Sequence, residues 1–404
     1  MIYNELESIG QYWEGEICIW GAGQIGTGNA YDLLIAAGIK IDFYIDNKYS
    51  EGEIIRDGIK VKKCVYLYEN RDNIFTFVCV GKKLQKEIVN ELIKNGVSHY
   101  TIIGSEEVMM CLDSIDKADD KIKEKYRNIY DDSIFLKKQF KKKAGYELNL
   151  DNPKSFNEKL QWLKINNHNP KYTQMVDKVA FKEYIAKEIG SEFVFPTLGV
   201  WEKYEDIDFD KLPDKFVLKC NHDSGSIVVV EDKNKIDYVA VKDKLTSRLN
   251  VNYYWASREW PYKNIQRKII AEPYLVDETG TELKDYKLFC FNGKVRMIQV
   301  DYDRFVEHKR TLYDTDWNRQ NFTLGFPTDK SVEIDKPDEL EEMIQLAERF
   351  SEGIPHVRVD LYIINHQVFF GEFTFFHGGG YEKFTPDIWD YTLGDMIILP
   401  ERIT

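Results

Sequence analysis

The sequence predicts an α/β unit with a parallel sheet at the front of the chain and a second, strand-rich unit behind it that closes in a β-hairpin. Three observations carry this. Between Glu16 and about Gly104, apolar strand-like runs alternate with helical stretches, the pattern of a parallel sheet. Near the other end, two apolar strands, Val357–Ile364 and Gln367–Phe375, flank the short turn Asn365-His366. The length, 404 residues, exceeds what one core ordinarily serves. The boundaries read as 1–112 for the first unit, 113–150 for a helical linker and 151–404 for the second unit.

In the first unit Ile17–Trp20 is a strand, Asn29–Ala37 a helix and Ile41–Ile45 a second strand ending in Asp46-Asn47. Phe75–Val80, the helix Lys83–Asn95 and the strand Tyr100–Ile103 continue the alternation. Ser114–Lys125, dense in Asp and Lys, marks the linker. Further on, Ser155 and Glu158 have the spacing of a capping box. Asp177–Ile189 reads as a helix. Strands fall at Leu198–Trp201, Phe216–Lys219, Ile269–Tyr274, Tyr286–Phe291 and Val295–Val300, and Glu339–Phe350 is a helix.

The net charge of −13 argues against a nucleic-acid partner held through phosphates. No run approaches the ~18 apolar residues of a membrane helix. Met1–Glu16 carries acids and no apolar export core. The six cysteines are scattered, form no CxxC pair and sit mostly in apolar runs as small hydrophobes. The expectation is a cytoplasmic chain with no integral membrane segment. Its oligomeric state is left open.

Gly21-x-Gly23-x-x-Gly26 follows a strand and precedes a helix, the setting of a dinucleotide-binding turn. Asp46, closing the second strand, stands where an acid can bind ribose hydroxyls. No Tyr-x-x-x-Lys or similar constellation lies nearby, so nicotinamide redox chemistry is not expected. A nucleotide or nucleotide-sugar guest, or a purely structural Rossmann-like unit, is the reading.

The second unit carries the stronger chemistry. Lys178 opens a predicted helix, and Lys219 ends the strand Phe216–Lys219 before a small-residue loop, Asn221 to Ser226, that includes Ser224 and Gly225. A strand lysine and a small loop can neutralise and cover phosphates. The segment around Glu272, Tyr274 and Leu275 offers backbone groups to an adenine edge. Asp285 can hold ribose hydroxyls, with Lys287 a further nucleotide contact. Asp360 and Glu372 lie on the two strands of the hairpin, embedded in apolar runs. Buried ionised carboxylates are costly without a partner, and Mg²⁺ between them resolves this. Arg358, two residues before Asp360, shares its face and can stabilise developing negative charge; a structural Arg–carboxylate pair is the alternative. The glycine run after His377 either closes over ligand or is only a turn.

These segments in this order (Asp177-Lys178, Phe216–Lys219, Ala271–Leu275, Asp285–Gly293, Arg358–Tyr362, and Gly371–Phe375 with His377–Gly380) resemble the TupA-like ATP-grasp family, associated with teichuronopeptide and capsular polysaccharide synthesis. Pro153–Trp162 resembles that family's opening motif, and the likeness runs from about Lys121 to the C-terminus. It implies an ATP-grasp fold with ATP between two α+β lobes, and ligation of a carboxylate to an amine through an acylphosphate. On that resemblance Lys178 and Lys219 match the ATP lysines, Asp285 the ribose acid, and Asp360 and Glu372 the magnesium ligands; Arg358 and Lys219 are the expected catalytic residues. Thr374 stands where many ATP-grasp enzymes carry Asn, which puts a second metal ion in doubt.

The leading expectation is thus a ligase joining an amine to a sugar or small-molecule carboxylate, a uronic acid foremost. The alternatives are a kinase on the same fold and a non-catalytic nucleotide-sugar-binding protein. Tyr253-Tyr254-Trp255, His308-Lys309-Arg310 and His377 are the candidate acceptor contacts.

Overall fold

The computed structural model describes residues 3–275, 284–302, 308–329 and 331–401, in two compact units. The first comprises the chain up to Phe135 together with Asn250–Ala256; the second comprises Leu136–Leu249 and the chain from Ser257 onward. The division falls inside the helix Asp132–Ala144. Most of the segment expected as a linker is helical, and its Ile115, Tyr126 and Ile129 bury their side chains in the core of the first unit.

The first unit is built on a six-stranded sheet in the order β3-β4-β2-β1-β5-β6. Its strands are β1 (Glu16–Trp20), β2 (Phe43–Ile45), β3 (Ile54–Arg56), β4 (Ile59–Lys62), β5 (Ile74–Val78) and β6 (Tyr100–Ile102). Every pairing is parallel except the β3–β4 edge. β1 and β5 are almost fully buried, as expected for strands covered on both faces. The parallel strands therefore run in a doubly wound order that reverses between β1 and β5.

The second unit holds two antiparallel sheets. A four-stranded sheet, ordered β7-β10-β8-β9, contains β7 (Gly199–Trp201), β8 (Phe216–Cys220), β9 (Val228–Val230) and β10 (Ile269–Pro273). A five-stranded sheet, ordered β13-β12-β11-β15-β16, contains β11 (Asp285–Phe291), β12 (Lys294–Tyr302), β13 (Lys309–Tyr313), β15 (His356–Ile364) and β16 (Gln367–Thr374). The short strands β14 (Thr323–Leu324) and β17 (Phe384–Thr385) pair with each other. The β15–β16 hairpin turns at Asn365 and His366, both at positive φ (49° and 59°), as a tight two-residue hairpin turn requires. The helix Leu340–Ser351 packs its apolar side into the core under the five-stranded sheet, where Met343, Ala347 and Phe350 are buried.

The helix Phe156–Asn166 starts with the expected capping box. Ser155 Oγ accepts from Glu158 N at 3.2 Å, and Glu158 Oε2 accepts from Ser155 N at 3.1 Å and Lys154 N at 2.9 Å. Because Ser155 is buried, water cannot replace this cap. Ser155→Ala is expected to lower stability by about 1–2 kcal/mol, read as a shift in the denaturant midpoint at constant m-value.

Candidate active site

Register decides which charges meet on the five-stranded sheet. Asp360 stands opposite both Lys287 and Glu372, Asp285 opposite Asp301, and Arg358 opposite Thr374. With a side-chain period of two, all of these share one face. Like charges directly opposed repel, and cations answer them. Arg358 grips Asp360 through two hydrogen bonds, Nε to Oδ1 and NH2 to Oδ2, each 2.7 Å. Lys287 bridges Asp285 and Asp360, its Nζ 3.1 Å from Asp360 Oδ2. Burial pushes the Asp360 carboxyl up, but Arg358 and Lys287 outweigh it and hold the group below the ordinary carboxylate range. Glu372 is held more loosely. Its side chain is 46% exposed, against 1% for Asp360, and Arg358 NH2 lies 3.7 Å from it.

The four-stranded sheet presents the opposite polarity. Lys219 on β8 and Glu272 on β10 are diagonal neighbours. Glu272 accepts both Lys219 Nζ and Lys182 Nζ, each at 2.5 Å, one on each carboxylate oxygen. Burial raises Glu272 and the two lysines more than reverse this, so its carboxyl sits below the ordinary range. Lys178 donates from Nζ to Asp223 O at 2.6 Å, and burial lowers the pKa of both Lys178 and Lys182. The loop after β8 is braced from within. Asp223 accepts Ser226 Oγ at 2.5 Å and Arg248 Nε at 2.7 Å, while Ser226 Oγ accepts Cys220 N at 2.8 Å. Gly225 has φ +95°, and an added Cβ there would meet only the end of Arg248 at 3.8 Å, so the tip of the loop is open.

Both charged faces line one cavity of about 540 Å³. It takes in Lys178, Lys182, Lys219, Ser224, Gly225, Glu272, Tyr274 and Leu275 from one side, and Asp285, Lys287, Arg358 and Glu372 from the other. At the β12–β13 end it reaches Asp301, His308 and Arg310. Arg310 binds Asp301 (Nε to Oδ1, 2.8 Å), Leu324 O (2.6 Å) and Glu382 (3.3 Å).

Several expectations need correction. Lys178 does not open a helix. The stretch breaks into Pro170–Val176 and Ala180–Ile189, because Asp177 Oδ1 caps Val179 N and Ala180 N while Lys178 N bonds to Asn221 O. Asp285, expected to hold a ribose, lines the cavity and is buried and ion-paired with Lys287. Glu272 acts through its side chain as the lysine clamp. His377 is buried against Phe156 and Phe289 and paired with Glu382 at 3.2 Å, not open to an acceptor. Tyr253-Tyr254-Trp255 belongs to the first unit, where Tyr254 bonds to Asp132. In that unit Gly21 lies at φ +114°, Gly26 packs on Gly21 O, and nothing stands within 4 Å of a Cβ at Gly23. Asp46 accepts Ala22 N at 2.8 Å and Lys48 N at 2.9 Å.

Lys182 and Asp301 escaped the sequence reading. Lys182 follows Lys178 by four residues, a helical-face spacing, and Asp301 is an acid at the end of an apolar strand, the same signal that exposed Asp360.

Residues 158–398, more than half of the chain, match the family model described as TupA-like ATPgrasp. The chain belongs to this family. It is an ATP-binding, ADP-forming ligase of the ATP-grasp type. Solved structures similar to this ATP-grasp chain include D-alanine–D-alanine ligase from Bacillus anthracis (16% identity, 95% of this chain and 96% of that one, TM-score 0.33). The Helicobacter pylori D-alanine–D-alanine ligase is 13% identical over 61% of this chain and 68% of that one, TM-score 0.34. Phosphoribosylglycinamide synthetase from Anaerococcus prevotii is 12% identical over 89% and 67%, TM-score 0.28. No curated protein matches the chain. Among the described residues no helix is long and apolar enough to cross a membrane.

Two outcomes follow for this ATP-grasp site. Lys182→Met is expected to weaken ATP binding about tenfold or more, measured by calorimetric titration, since a desolvated charge contact is worth about 1.5–3 kcal/mol. Glu382, which burial would raise, is brought by His377 and Arg310 down to about 2. A depressed carboxyl stabilises the fold above its unfolded value of 4.5 and loses that contribution as pH falls toward 2. Glu382→Gln should therefore cost stability above pH 4.5, with the gap to wild type closing between pH 4.5 and 2 in acid denaturation curves.

Proposed function

We propose that this ATP-grasp enzyme joins the carboxylate of a uronic acid or related sugar to an amine, in the synthesis of a bacterial capsular or cell-surface polysaccharide. The observation that carries the reading is the cavity with Lys178, Lys182 and Lys219 on one wall and, facing them, the acids Asp285 and Glu372 set among Lys287 and Arg358. A nucleoside triphosphate with a divalent cation is complementary to both walls at once.

Lys178, Lys182 and Lys219 take the phosphates, with the open loop at Ser224 and Gly225 covering them through backbone amides. Backbone groups beside Tyr274 and Leu275 meet the adenine edge; Pro273 has no N–H to offer, so its neighbours supply the donor. Of the two acids we assign to Mg²⁺, Glu372 lines the cavity and is half exposed, whereas Asp360 is buried and would have to give up one of its bonds to Arg358 or Lys287 to take a metal ion. Both are hard oxygen donors in opposed register, and among the described residues no third metal-type ligand joins them. That is the usual share for an ion that keeps waters and phosphate oxygens as its other ligands. When bound, the ion neutralises charge on the transferring phosphoryl group.

The substrate carboxylate attacks the γ-phosphorus, an O–P bond to the carboxylate forms, and the bond to the β-phosphate oxygen breaks to release ADP. An amine nitrogen then adds to the acyl carbon, the C–O bond to phosphate breaks, and inorganic phosphate leaves as the amine loses its proton. Arg358, fixed by its grip on Asp360, faces the charge that builds on the phosphoryl and tetrahedral oxygens. Placing carboxylate and γ-phosphate together in one cavity supplies much of the rate.

Incubation with Mg·ATP, a panel of uronic acids and small amines should release ADP and inorganic phosphate in equal amounts and yield an amide by mass spectrometry. Phosphate retained as a stable ester on the sugar would show a kinase instead. Glu372→Gln should lower turnover at least 100-fold with the fold intact; unchanged ADP release by that variant would refute its place at the metal.

A further inference from the structure

Away from the cavity, the helix Asp132–Ala144 concentrates positive charge. Residues 137–143 hold five lysines and no acid, in a chain of net charge −13. Leu136 and Phe140 on this helix are buried, and Phe140 meets Tyr146 edge-on with ring centres 5.0 Å apart. Lys143 turns inward with them, its Nζ 4.2 Å from the Tyr381 ring centre. Lys137, Lys138, Lys141 and Lys142 are exposed, and their three- and four-residue spacing gathers them on the opposite side of the helix.

This face is held at a cost. Lys137 and Lys141, and Lys138 and Lys142, are like charges four residues apart, which weakens a helix. None of the four has an acid three or four residues away in the sequence. Lys141 meets Glu147 at 2.5 Å, but both partners are exposed, where an ion pair contributes little.

The surface beside the lysines is apolar and open. Tyr146, just past the helix, is 38% exposed, and its hydroxyl stands 3.1 Å from Ser155 Oγ. Two residues on, Asn157 N donates to Asp390 Oδ1 at 2.9 Å, which anchors the first turn of the helix Ile388–Met396 beside the same segment. That turn presents Ile388 (63% exposed) and, three residues later, Tyr391 (45% exposed). A basic face by itself would serve any polyanion. Lysines flanked by exposed tyrosine and aliphatic side chains suit a bilayer with anionic headgroups, where the ammonium groups meet phosphates and the apolar groups leave water. A hydrophilic polyanion would give Ile388 nothing to enter.

We propose that the exposed lysine face of the helix Asp132–Ala144, with Tyr146, Ile388 and Tyr391 beside it, docks the chain reversibly on an anionic lipid surface. Charge and shallow apolar insertion are each too weak alone, and together they hold a protein at a membrane. The face lies outside the cavity, so the docking does not depend on the ligase reading.

Flotation of the full chain with phosphatidylcholine vesicles, with and without phosphatidylglycerol and in the absence of ATP, tests this. At about 0.15 M salt the chain should float with the anionic vesicles and not with the neutral ones, and roughly 1 M salt should release it. Lys138→Gln combined with Lys142→Gln should weaken binding at least tenfold, at about fivefold per lysine. Ile388→Ser should weaken it about threefold or more. Lys211→Gln combined with Lys235→Gln, the same change of net charge at exposed lysines elsewhere, should leave it unchanged. Thermal midpoints of each variant check the fold. Failure to float, equal binding to both kinds of vesicle, or an equal loss from the two lysine pairs overturns the docking. So does binding to soluble polygalacturonate that is as tight as to anionic vesicles and indifferent to Ile388→Ser, which would assign the face to an acidic polymer. Vesicle binding by a chain that forms no amide would sink the ligase and leave the docking standing.

Discussion

The opposition of acids on the five-stranded sheet governs the second unit. Asp360 faces Glu372 and Asp285 faces Asp301, in a register that the buried apolar side chains of β11, β12 and β15 do not allow to slip. Left alone, buried carboxylates cost several kcal/mol each. Lys287, at the centre of the sheet, serves one acid from each pair, Arg358 serves Asp360 and Arg310 serves Asp301. The cations are distributed so that Glu372 is the acid least compensated and most exposed. That asymmetry, more than the presence of acids, makes the β16 edge the place where an added cation gains most.

The lysine wall has the complementary imbalance. Glu272 is one carboxylate shared by two lysines, the Lys178 ammonium donates to the backbone carbonyl of Asp223, and the Asp223 carboxylate is already answered by Arg248. Burial lowers the pKa of Lys178 and Lys182, which means that their charge is held at a cost. The proposed metal-bound polyphosphate would relieve that cost on the lysine wall and bring a cation to Glu372, the least compensated acid of the other.

Much of this was legible because it is local. A buried acid in an apolar strand, an arginine two residues before it and a two-residue turn between strands fix Asp360, Arg358 and Glu372 on one hairpin face without knowledge of the rest. The capping box at Ser155 is local in the same way. What escaped depends on pairing between distant segments. Glu272 becomes a clamp only because β10 lies beside β8 and the helix Ala180–Ile189 delivers Lys182 to the same spot. Asp285 comes to share Lys287 with Asp360 because β12 brings Asp301 opposite it and β11 lies beside β15. Tyr254 and Trp255, close in sequence to site residues, pack in the other unit because the chain returns to it for seven residues.

The glycine turn of the first unit shows how the same spacing can arise from packing alone. A phosphate-binding turn needs its amides free to point at the anion. Here Gly21 N bonds to Ile45 O, Ala22 N to Asp46, Thr27 N to Gly23 O and Gly28 N to Ile25 O. Gly21 is required by its φ of +114° and by Val80 and Cys79 beside it, and Gly26 because a Cβ would lie 1.8 Å from Gly21 O. Asp46, the expected ribose acid, holds the turn closed. Two of the three glycines and the acid thus have sufficient structural reasons to be what they are. Only Gly23, with open space around it, retains a reason that points outward. The motif therefore accounts for the close approach of β1, β2 and β5 in a doubly wound sheet, and a guest at this turn would have to be recognised by groups other than the amides already engaged.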